Sequence, residues 1–76
     1  MGRRIDEDAL QALLEAQAVR ECRAARQDAA WTLSVRLGAT WHPIRSRREP
    51  VRTWLSLTAL GKFCERVGVT KLEVEL

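Results

Sequence analysis

The residues able to do covalent chemistry are few: one histidine, His42, and two cysteines, Cys22 and Cys64. A thiol nucleophile needs a base within hydrogen-bond reach and donors for the developing oxyanion. No Gly-Cys flank or comparable signature accompanies either cysteine. They lack CxxC spacing and a neighbouring histidine, so both read as small buried hydrophobes rather than as a metal site or redox pair. His42, between Trp41 and Pro43, reads as a surface residue near a turn. No GxGxxG, Walker loop, HExxH or GxSxG occurs, and the acids read as solvated helix-face charges rather than a convergent pair. Neither catalysis nor a cofactor, metal or small-molecule substrate is expected.

What the chain concentrates is arginine. Between Arg36 and Trp54 lie Arg36, Arg45, Arg47, Arg48 and Arg52 against the single acid Glu49, a local charge of +4 in a chain whose total is +3. Arginine outnumbers lysine eleven to two, and its planar fork suits bidentate contact with phosphates and guanine edges. Two of the three tryptophans, Trp41 and Trp54, lie in the same stretch. Guanidinium forks beside an aromatic ring are the means of meeting a nucleic-acid backbone and stacking on a base.

The elements that must position these side chains follow from periodicity. The chain has 76 residues, 46% of them hydrophobic and 30% charged, a globular composition for a single small domain near the lower limit of a self-sufficient core. Residues 1 to 5 read as a flexible arm. From Asp6 to Gln27 the composition is rich in Ala, Leu, Glu, Gln and Arg with no Gly or Pro, which predicts a long helix with acids at its start and Arg20, Arg23 and Arg26 near its end. Such a helix, ~33 Å long at ~1.5 Å per residue, outreaches a small body, so Leu10, Leu13 and Leu14 are candidates for a homodimer interface.

Period-two alternation of Trp31, Leu33, Val35 and Leu37 predicts a strand over 30–37, with a second over 41–46 and a third over 51–55 in which Arg52 and Trp54 face away from the aliphatic residues. Thr58 and Gly68 bracket a short helix as N-cap and C′ residues, with Leu60, Phe63, Cys64 and Val67 on its apolar face. Gly61 inside it suggests the close approach of another element. A strand over 71–76 ends the order α-β-β-β-α-β. The fold class is α+β: an antiparallel sheet, helices packed on one face, and Thr32, Ser34, Arg36, Arg52 and Trp54 on the other. That open face suits a nucleic acid, an acidic protein partner or plain solvation.

The order of motifs from Trp31 through Arg36 and Gly38, then Pro50-Val51-Arg52-Thr53-Trp54, Leu57-Thr58-Ala59 with Lys62-Phe63, and Val67-Gly68-Val69 leading to Leu72-Glu73-Val74, resembles the small plasmid partition-associated proteins of ParC type over about residues 30–75. Thr58 stands where that family has a capping Asp, Gly61 where it has alanine, and the Trp41-His42-Pro43-Ile44 run is extended. The resemblance implies an accessory role in plasmid partition or stable maintenance, and carries no site residue across.

The function expected is therefore non-catalytic DNA binding in a cytoplasmic protein, with Arg36, Arg45, Arg47, Arg48 and Arg52 on phosphates and Trp54 packing or stacking. The alternative is an adaptor that dimerises through the first helix and binds a partition protein. No apolar run reaches the ~20 residues of a membrane span, and the N-terminus lacks a signal-peptide core.

Overall fold

The computed structural model describes residues 4–76, which form helix α1 (Glu7–Glu15), strands β1 (Glu21–Gln27), β2 (Ala30–Leu37), β3 (Thr40–Pro43) and β4 (Thr53–Trp54), helix α2 (Leu57–Val67) and strand β5 (Glu73–Glu75). The α+β class and the order α-β-β-β-α-β are present, with β1 as an additional strand inside the segment expected to be helical. Residues 1–3 of the expected arm lie outside the described residues. Ile5 does not belong to an arm: it is fully buried and bridges Ile44.

Helix α1 starts where expected, with the Asp6 carboxylate accepting the Ala9 N–H at 2.9 Å and Glu7 and Asp8 in the first turn. It ends twelve residues earlier than the expected Gln27. Gln17 takes a left-handed φ of 58°, its N–H donates to the Leu14 carbonyl, and the Ala18 N–H donates to the Leu13 carbonyl, both at 3.0 Å. This is a Schellman stop built without glycine. The chain then enters β1, where Cys22 and Ala24 are buried opposite Val35 and Leu33. An Asp28–Ala29 turn, with Asp28 at φ 56°, returns it into β2. The high helix propensity of the Ala-Arg stretch yields here to pairing with the most buried strand of the sheet.

The sheet runs β3-β2-β1-β5, antiparallel except for the parallel β1–β5 pair. Strands β3 and β4 share one edge of β2: β3 pairs with Ser34 to Leu37 and β4 with Trp31 and Thr32. Residues 45–52 form an excursion between them, closed at its base by the Arg52 N–H donating to the Ile44 carbonyl at 2.8 Å.

Helix α2 is capped by Ser56, whose hydroxyl accepts the Ala59 N–H at 3.1 Å, rather than by Thr58. It ends at Gly68, where φ is 104°. Its buried residues Leu60, Phe63, Cys64 and Val67 join Leu10, Cys22, Ala24, Leu33, Val35 and Ile44 in the core. Gly61 does not mark a close approach, since nothing lies within 4 Å of the position a Cβ would occupy. Leu10 is 0% exposed, so it belongs to this core and not to a dimer interface. Leu13 and Leu14 pack against the same core. A helix of nine residues leaves no overhang, and the reason for dimerising through α1 falls away.

Strand β4 faces opposite to expectation. Its register sets Trp54 across from Trp31 and Thr53 across from Thr32. Trp54 is therefore 7% exposed within the core, while Leu55 is 88% exposed. The larger ring buries more apolar area than leucine and takes the inner position.

Candidate nucleic-acid interface

The face of the sheet away from the core carries Arg23, Arg36, Glu21, Glu73 and Glu75 in rows set by the strand register. Arg36 Nε donates to Glu21 Oε2 at 3.1 Å, and a second guanidinium nitrogen donates to the Gly38 carbonyl. Arg23 Nε donates to Glu73 Oε1 at 2.7 Å, while its guanidinium lies 4.2 Å from the centroid of the Trp41 ring. Small Ser34, which pairs with Arg23, leaves room for that reach across β2. Each of the two arginines is thus paired with one glutamate, Glu75 adds a third negative charge to the face, and the face expected to attract phosphate is neutralised. Arg23 and its acids escaped sequence reasoning because residues 21–27 read as helix. The detectable signal was charge at i and i+2 in Glu21 and Arg23, mirrored by Glu73 and Glu75 near the end of the chain.

Arg52 and Trp54 belong elsewhere. Trp54 packs against Phe63 with ring centroids 5.0 Å apart and planes tilted by 54°. The Arg52 guanidinium covers the pair, 4.9 Å from the Trp54 centroid and 4.7 Å from that of Phe63, and reaches Glu7 at 3.4 Å. The Arg66 guanidinium lies 5.2 Å from the Phe63 centroid and shares the Glu7 carboxylate at 3.0 Å. The two guanidinium groups, hydrogen bonds first, hold the Glu7 carboxyl below its ordinary value. Arg52 is a lid on the aromatic core, so neither it nor Trp54 is placed to stack on a base.

The excursion holds the remaining candidates, Arg45, Arg47 and Arg48. The Arg45 N–H donates to the Ile5 carbonyl at 2.9 Å, which ties the excursion to the N-terminal segment. At the tip, the Ser46 N–H donates to the Glu49 carbonyl at 3.1 Å, and the Glu49 N–H donates to the Ser46 hydroxyl at 3.0 Å. The Arg45 guanidinium donates to the Ser46 carbonyl at 3.1 Å. Among the described residues, Arg4, Arg45, Arg47 and Arg48 form no ion pair with an acid. On its inner side the excursion borders a cleft shared with Asp6, Glu7 and Asp8 of the α1 N-terminus. Arg45, Arg47 and Arg52 line that cleft with the acids; Arg47 and Arg48 are nonetheless exposed, as is Arg4.

Cys22 and His42 flank Val35 on neighbouring strands. Two strand spacings, about 10 Å, separate their backbones, so they do not form a nucleophile–base pair. Burial, with a smaller contribution from Cys64, pushes the Cys22 thiol up to about 11, and burial also raises Cys64. Both thiols are protonated and buried at neutral pH, as inert structural cysteines are. Among the described residues no three His, Cys, Asp or Glu side chains lie together as metal ligands, and no helix is long and apolar enough to cross a membrane. No family model matches the chain, and neither a curated protein nor a solved structure matches it.

Proposed function

We propose that this chain is a non-catalytic DNA-binding protein that contacts the phosphate backbone through the tip of the 45–52 excursion, with an accessory role in plasmid partition or stable maintenance as its resemblance implies. The observation that carries the reading is the split among the arginines. Arg23, Arg36, Arg52 and Arg66 are matched by glutamate or aromatic rings, whereas among the described residues Arg47 and Arg48 are exposed on a hydrogen-bonded turn with no acid paired to them. A tethered turn presents its guanidinium forks with less loss of conformational freedom than a loose loop, which favours phosphate contact.

A second reading is favoured by one observation. Strand β5 pairs with β1 on one side only, and Val74 within it and Leu76 just after it are exposed, which suits an adaptor that takes an extended segment of a partition protein along this edge. Anisotropy titration of a labelled random-sequence duplex at low salt separates the two. Binding that weakens with salt at a log–log slope of about −0.9 per phosphate supports DNA contact. Absence of binding at low salt rejects it and leaves the adaptor.

A further inference from the structure

We propose that the groove at the β1–β5 end of the sheet binds a small amphiphile: an apolar chain carrying one anionic head group. The groove has a volume of about 660 Å³, within the roughly 300–1,000 Å³ of small-molecule sites. Leu14 from the end of α1, Val19 from the segment entering β1 and Leu72 before β5 supply apolar wall, and each is only half-buried by the fold itself. An apolar ligand gains by covering them.

The charges of the groove select the head group. Its two acids, Glu21 and Glu73, are already paired, at 3.1 Å with Arg36 and at 2.7 Å with Arg23. Its two cations, Arg20 and Lys71, are exposed and form no ion pair among the described residues. Two unmatched cations beside an apolar wall complement a ligand with an oil-like body and a carboxylate or phosphate at one end. The groove is lined by none of the excursion arginines, so the site stands independently of DNA binding.

The test uses the whole chain with four probes of equal length below their critical micelle concentrations: decanoate, decyl phosphate, decanol and decyltrimethylammonium. Calorimetry and ¹⁵N amide shifts should show saturable one-site binding of at least one anion, with shifts centred on Leu14, Val19 and Leu72. Decanol and the cationic probe should bind at least about tenfold more weakly, and so should the anion to an Arg20→Ala, Lys71→Ala variant with an unchanged circular dichroism spectrum. Which anion binds more tightly separates a carboxylate ligand from a phosphate one. Failure of both anions to bind saturably, equal binding of the cation, shifts centred elsewhere, or undiminished binding by the folded double variant would overturn the proposal.

Discussion

The open face of the sheet and the 45–52 excursion both carry arginines, yet among the described residues only the excursion has some, Arg45, Arg47 and Arg48, that form no ion pair. On the sheet, strand register sets Glu21 opposite Arg36 and Glu73 opposite Arg23, and Trp41 stacks on Arg23. In the excursion Asp6, Glu7 and Asp8 border the inner side and Glu49 follows Arg48, yet among the described residues Arg47 and Arg48 form no ion pair. Arginine content in a sequence is thus a poor measure of free charge. A guanidinium matched across strands is neutralised locally, whereas one left to solvent attracts a distant phosphate. Arg52 is a third kind, a lid over Trp54 and Phe63 held by Glu7.

Breaking the support under that lid should have the largest effect. Phe63, 2% exposed, touches Trp54, Arg52 and Arg66, and Phe63→Ala should cost about 3–5 kcal/mol, most of the stability of a chain this small. Urea denaturation measures it, and a cost below ~1 kcal/mol would show that the ring is not central to the core. Removing the lid alone should be milder. Arg52→Ala should cost about 1–2 kcal/mol through its stacking on the two rings, the partly exposed Glu7 pair adding little, and duplex affinity of the folded variant should stay within about twofold of wild type. A large loss of DNA affinity without loss of stability would move Arg52 into the interface.

Gly61→Ala should act in the opposite direction. The position is helical with open space around its missing side chain, so alanine should stabilise by about 0.5–1 kcal/mol. Destabilisation in thermal unfolding would mean that an element does approach there. The smallest effect belongs to Glu7. Its folded-state carboxyl is held below the ordinary 4.5 by Arg66 and Arg52, so its contribution is present above the unfolded value and fades as pH falls through the folded one. Glu7→Gln should cost less than about 1 kcal/mol near neutrality for so exposed a pair. The cost should shrink below pH 4.5; a cost that grows on acidification would contradict the lowered carboxyl.

Much of the fold was legible where local chemistry and tertiary demand agree. The Trp31–Leu37 alternation became β2, α1 starts at its acids, and Gly68 ends α2. Cys64, Leu60, Phe63 and Val67 share the buried face of α2. Strand β1 was not legible, because its Ala and Arg residues favour helix and the stop before it uses Gln17, not glycine, in the left-handed region. That omission hid Arg23 and Glu21, and with them the neutralisation of the sheet face. The inward turn of Trp54 was hidden too, since a strand of two residues takes its register from β2 and gives no alternation of its own. Arg47 and Arg48 could not be told apart from Arg36, Arg45 and Arg52, because which guanidinium meets a glutamate depends on strand register and on the distant Glu7.

The most direct measurement is duplex DNA affinity as a function of salt for wild type and two variants that each remove two positive charges, Arg47→Ala with Arg48→Ala and Arg23→Ala with Arg36→Ala. Equal charge removal holds the long-range field comparable, so the difference between variants reports contact. The tip variant should bind several-fold more weakly with a salt slope shallower by about 1.8, two phosphates at ~0.9 each, while the sheet variant keeps the wild-type slope. Equal losses in the two variants, or a loss confined to the sheet variant, would contradict the assignment of DNA contact to the excursion.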